Sequence, residues 1–140
     1  MTGAASVLVL VAAVGVLSAC KGGAMTPWRL QQDADSLASI AADGELLAGE
    51  TAKGESTGPF TTVHARELRQ EADQLADVVA STEPDPGLAR PTAQLATTAR
   101  AAARVLRRLE EHPGDEDVAA RVGDRLGAIA DRAEQIGKQA

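Results

Sequence analysis

One spacing recurs four times along this chain and constrains its fold more than any single residue does. Apolar residues step by four, three and four at Leu30, Ala34, Leu37 and Ala41, and by the same increments at Ala65, Leu68, Ala72, Leu75 and Val79. The pattern returns at Leu95, Ala99, Ala102, Leu106 and Leu109, and again at Val122, Leu126, Ile129, Ala133 and Ile136. A 3.6-residue period places each set on one side of a helix, so each segment has one face to bury. A strand would need a period of two.

The residues between the seams punctuate the helices. Thr26 followed by Pro27 reads as an N-cap and a first-turn proline, so a helix starts near Pro27. "DGE" at 43–45 is expected to break or bend it, since glycine and aspartate are weak in helix interiors. "GESTGP" at 54–59 has loop chemistry, and Thr61 or Thr62 is the expected cap of the second helix. "STEPDPG" at 81–87 ends that helix, and the third is expected from about Pro91 to Glu111. "HPGDED" at 112–117 supplies the last turn, with Asp115 as cap and acids suited to a helix N-terminus. No fixed-period repeat extends beyond this shared spacing. The expected fold is all-α, an up-down-up-down four-helix bundle over residues 27–140, because short loops favour antiparallel neighbours. A three-helix bundle with a loose first helix is the alternative.

The seams are unusual in what they contain. Of the 48 apolar residues from Cys20 onward, 24 are alanine and 20 are Val, Leu or Ile, while the whole chain has one Trp, one Phe and no Tyr. Alanine favours helix but buries little area, so cohesion must come from close approach of the helices. The formal net charge of −6 argues against nucleic-acid binding, which draws on cationic groups that displace counterions from phosphate.

The N-terminal segment has a different logic. Eighteen residues from Gly3 to Cys20 carry no charge, and their apolar centre, "SVLVLVAAVGVL", runs from Ser6 to Leu17. That matches a signal-peptide core in length and is short for a membrane span. The residues alone allow three readings of Cys20, the single cysteine: a lipid attachment point, part of an uncleaved anchor followed by Lys21 and Arg29, or a buried small hydrophobe. The sequence "LSAC" at 17–20 resembles the lipobox of bacterial lipoprotein signal peptides, although no Lys or Arg precedes the apolar run. The resemblance covers residues 1–20. It implies cleavage after Ala19, a diacylglyceryl group on the Cys20 thiol, and a mature protein held on the extracytoplasmic face of the cell membrane. The expected organisation is then a signal peptide at 1–19, lipidated Cys20 with a flexible tether through 26, and the bundle at 27–140.

Chemistry in the bundle is sparse. Arg100, Arg104, Arg107 and Arg108 lie off the third seam and form an outward basic stripe, suited to an acidic protein, an anionic envelope polymer or lipid headgroups, unless local acids such as Glu110 and Glu111 neutralise it. His112 sits among Glu110, Glu111, Asp115, Glu116 and Asp117, yet neither EF-hand order nor a zinc spacing is present, so no metal site is assigned. His64 has no serine on a glycine-flanked elbow to serve, and no c-type haem attachment motif or paired Glu-x-x-His occurs. Gly123 and Gly127 form G-x-x-x-G, but Asp124 and Arg125 between them exclude a membrane span, so close packing on a neighbouring helix or simple surface tolerance is expected. Trp28 is expected to cap the end of the bundle or to dip into a membrane interface. The functional expectation is a lipid-anchored, non-enzymatic interaction protein without a cofactor. The alternative is a carrier or sensor that binds a small ligand or metal between helices.

Overall fold

A computed structural model describes residues 23–140. Within them the chain forms α1 (Pro27–Ala52), α2 (Gly58–Ala80), α3 (Ala89–Glu111) and α4 (Glu116–Gly137), with no strand among the described residues. It is a four-helix bundle. In the ring α1–α2–α3–α4, α1 lies most closely along α4 and α2 along α3. Of the two diagonals, only α1–α3 brings helices into contact. The signal-peptide, Cys20 and Lys21–Gly22 expectations lie outside the described residues.

The helix boundaries follow the capping chemistry with two shifts. Thr26 caps α1, its Oγ1 accepting from the Arg29 N–H at 3.3 Å. Asp115 caps α4 in the same way, accepting from the Val118 N–H at 2.9 Å, and Glu116 and Asp117 occupy the first turn. α3 starts two residues ahead of Pro91, which sits where a missing N–H costs no helical hydrogen bond. α2 starts at Gly58, with Thr57 as its N-cap, so Thr61 and Thr62 are not caps. Thr61 is instead fully buried. The Thr51 hydroxyl donates to the Leu47 carbonyl at 2.9 Å, which leaves Thr61 to donate to Thr51 Oγ1 at 3.0 Å and Ser56 to donate to Thr61 Oγ1 at 2.8 Å. This hydroxyl chain pins the α1–α2 turn. The turn itself ends α1 in a Schellman arrangement, the Glu55 N–H donating to the Glu50 carbonyl at 2.9 Å around Gly54 at φ 72°.

All four seams face inward. Those of α1 and α3 are fully buried, while Leu68, Leu75 and Ile129 are half-buried against the core. The expected break at "DGE" does not occur, and α1 runs through it without interruption. Gly44 is buried there because a Cβ would stand 2.8 Å from Leu126 Cδ1 of α4 and 2.9 Å from Leu106 Cδ2 of α3. The glycine admits two leucines and brings α1 against its diagonal partner α3. The G-x-x-x-G of α4 also faces α1 but is less tightly enclosed, a Cβ on Gly123 making only ordinary van der Waals contact. A Cβ on Gly123 would meet Ala48 at 3.7 Å, and one on Gly127 would crowd the Glu45 carboxylate at 3.0 Å.

Two expectations at the N-terminal end are corrected. Met25 is not tether: it is fully buried, its N–H donates to the Glu83 carbonyl at 2.7 Å, and its own carbonyl accepts from the Asp85 N–H at 3.0 Å. Arg29 also donates to the Gly23 carbonyl at 3.0 Å. Trp28 does not cap the bundle, being 72% exposed; the end is plugged by methionine.

α2 and α3 are also clamped by charge. Glu110 accepts from Arg66 Nε at 2.8 Å through one oxygen and from Arg69 Nε at 2.7 Å through the other. These bonds, Arg66 foremost, hold the Glu110 carboxyl below its ordinary range against the opposing effect of burial. A carboxylate with a lowered folded-state pKa stabilises above its unfolded value, about 4.3, and loses that contribution as pH falls through the folded value. Asp33 has the opposite sign, because burial raises its pKa despite the Arg29 charge and one of its oxygens is buried without a hydrogen-bond donor. Glu110→Gln is therefore expected to lower stability at pH 7 by about 1 kcal/mol. The gap from wild type should narrow below about pH 4. Urea unfolding at pH 7 and pH 3 measures both, and an equal gap at the two values would exclude the clamp as its source.

Candidate functional site

The stripe foreseen on the third helix is present and larger than expected. At about 100° per residue, Arg100, Arg104, Arg107 and Arg108 fall within an arc of roughly 100° opposite the buried seam. All four are exposed. The local neutralisation by Glu110 does not occur, because that carboxylate is committed to Arg66 and Arg69 of α2.

α4 adds to this surface. Arg121 and Arg125 face Arg108 across a narrow cleft floored by Val105, Val118 and Val122. Nearer the other end of the same helix pair, Arg90 and Arg132 border a second shallow depression. The eight arginines of α3 and α4 are all exposed, and none forms an ion pair with a described residue. On α3 five arginines stand against two glutamates, giving a local positive surface on an acidic chain. Guanidinium groups in such a row can engage carboxylate or phosphate in bidentate fashion.

The opposite side of the ring carries a feature not foreseen from the sequence. Between α1 and α2 lies a groove of about 370 Å³ lined by Leu46, Leu47, Phe60 and Leu68, with His64 on one wall. Asp43, Glu50, Glu67 and Glu71 border it. Phe60 packs against His64 with ring centroids 4.1 Å apart and the rings tilted by 56°, and His64 Nδ1 lies 3.3 Å from Glu67 Oε2. Leu46 and Phe60 are 65% and 49% exposed, so a leucine and the single phenylalanine stand outward together. The lining falls on one side of each helix, but four of its nine residues are carboxylates, which breaks the apolar spacing that marks a seam.

The remaining candidates resolve into structure. His112 is the exposed C-cap of α3, donating its N–H to the Arg108 carbonyl at 3.1 Å and accepting from the Asp115 N–H at 3.2 Å. Among the described residues, no three His, Cys, Asp or Glu side chains group in a way that would hold a metal ion. Nor is any helix among them long and apolar enough to cross a membrane. No protein-family model matches the chain, and neither a curated protein nor a solved structure is significantly similar to it.

Proposed function

We propose that this protein is a lipid-anchored helical module of the extracytoplasmic membrane face, held by Cys20 and working by contact rather than catalysis. The observation that carries the reading is the 18-residue uncharged run ending in "LSAC". A doubly acylated cysteine would anchor stably, where one chain alone would be marginal.

The anchored end of the bundle supports a choice among partners for the arginine face. Gly23, held by Arg29, is three residues from Cys20. Three residues reach at most about 11 Å, so the end holding Met25, the start of α3 and the C-terminus of α4 would lie close to the bilayer. Arg100 and Arg108 stand about 17 Å and 29 Å along α3 from its start at 1.5 Å per residue. In an end-on stance that exceeds the screening length of about 8–10 Å at physiological salt. The stripe then faces an acidic protein or an anionic envelope polymer more readily than the headgroups beneath it.

Expression in a bacterium with an alkyne-tagged fatty acid is expected to label the wild type and leave Cys20→Ala unlabelled. Absence of label from the wild type, or equal labelling of both, would defeat the anchored reading. In the labelled protein, neutralising Arg100, Arg104, Arg107 and Arg108 to glutamine should abolish cosedimentation with an anionic wall polymer such as teichoic acid while leaving membrane association intact. Unchanged cosedimentation would remove the stripe from the function.

A further inference from the structure

We propose that the groove between α1 and α2 docks a cationic amphipathic helix of a partner protein. The inference does not depend on Cys20 being acylated.

Two facing stripes build the groove. Asp43, Leu46, Leu47 and Glu50 come from α1, and Phe60, His64, Glu67, Leu68 and Glu71 from α2. From Phe60 to Glu71 is about 16 Å of helix axis, enough to hold three turns of another helix. Leu47 and Leu68 pack into the bundle and form the floor, while Leu46 and Phe60 project into solvent. An isolated exposed leucine is ordinary. Here a leucine and the chain's one phenylalanine share a groove, in a protein whose interior is filled largely by alanine and leucine. The tilted Phe60–His64 ring pair gives the α2 wall an aromatic ledge with a polar edge toward Glu67.

Charge selects the occupant. Four carboxylates border the groove and no lysine or arginine lines it. His64 is the single basic group on the wall, and it already faces Glu67. An anionic membrane or a nucleic acid would meet those carboxylates and be repelled. A helix with leucines on one face and lysine or arginine flanking them satisfies both parts at once, its apolar residues at three- and four-residue spacing entering between Leu46 and Phe60. The arginine face on the other side of the ring stays free, so the protein can hold a basic partner and an acidic one simultaneously.

The test uses the full-length protein in phosphatidylcholine nanodiscs and a photoreactive 14-residue Leu/Lys amphipathic helix. Cross-links are expected to map to residues 43–50 and 60–71. Affinity should fall at least tenfold in the double variant Leu46→Gln/Phe60→Gln and again in Glu50→Gln/Glu67→Gln/Glu71→Gln, and a Leu/Glu counterpart should not cross-link. Leu46, Phe60, Glu67 and Glu71 are solvent-facing, and circular dichroism confirms that each variant stays helical. Cross-links scattered over the acidic surface, or affinity within twofold in the Leu46/Phe60 variant, would show bare charge attraction and overturn the proposal. Uptake of dodecyltrimethylammonium at these residues without the peptide would assign the groove to a small amphiphile instead. A dimer of this chain that dissociates in the Leu46/Phe60 variant would assign it to a second copy.

Discussion

Gly44→Leu is expected to destabilise the bundle by about 3 kcal/mol, whereas Gly44→Ala changes its stability by less than about 1 kcal/mol. A Cβ at this position would stand inside van der Waals contact with methyl groups of Leu106 and Leu126, both fully buried. For alanine, a small displacement of the two leucines offsets the gain of about 1 kcal/mol from removing glycine within a helix. For leucine, four carbons enter a space already occupied, and the diagonal contact of α1 with α3 must open. Overpacking of this kind costs roughly 1–3 kcal/mol, occasionally more. In a domain of this size the leucine variant should melt roughly 10 °C or more below wild type. Thermal unfolding followed by circular dichroism measures the difference. A melting temperature within about 2 °C of wild type would mean that the three helices are not held at the separation described.

Met25→Ala has the second large effect, about 2–4 kcal/mol of lost stability, while Trp28→Ala changes it by less than about 0.5 kcal/mol. The contrast reverses the ordinary ranking, in which tryptophan dominates packing. Met25 is among the largest fully enclosed side chains, and Trp28 is 72% exposed three positions later. Truncating methionine leaves a cavity between the start of α1 and the α2–α3 loop, and the loop then loses the side chain that seats its two backbone bonds. Hydrogen exchange at the Asp85 N–H, which donates to the Met25 carbonyl at 3.0 Å, should accelerate in the methionine variant and stay unchanged in the tryptophan variant. Chemical denaturation of both proteins gives the stability difference, and equal losses would remove Met25 from its role as plug.

These two positions show where local reading stops. The seams, Thr26, Asp115 and the prolines are legible because each acts through neighbours within about four residues, which backbone periodicity places without reference to the rest of the chain. Gly44 reads locally as a helix breaker, and Met25, preceded by Gly22 and Gly23, reads as the end of a leash. Both readings fail because the deciding partners are distant: Leu106 and Leu126 for the glycine, Glu83 and Asp85 for the methionine. Glu110 is the electrostatic version. Its neighbours in sequence include Arg107 and Arg108, yet its carboxylate is taken by Arg66 and Arg69 from α2.

The candidate surfaces divide on the same line. Arg100, Arg104, Arg107 and Arg108 share one helix, so their common face follows from spacing alone. Arg121 and Arg125 join them only because α4 lies beside α3. The α1–α2 groove is a property of two helices together: Leu46 lies off the seam of α1, Phe60 lies off that of α2, and neither position marks a site until the turn at residues 53–57 folds the helices side by side. The amino-acid order by itself determined that this chain makes four amphipathic helices with small residues inside and an arginine stripe outside. Tertiary structure decided which helices touch most closely, which residue seals the end and where the acidic groove opens, because those depend on side-chain volumes and charges meeting across many tens of residues, and no local periodicity encodes that meeting.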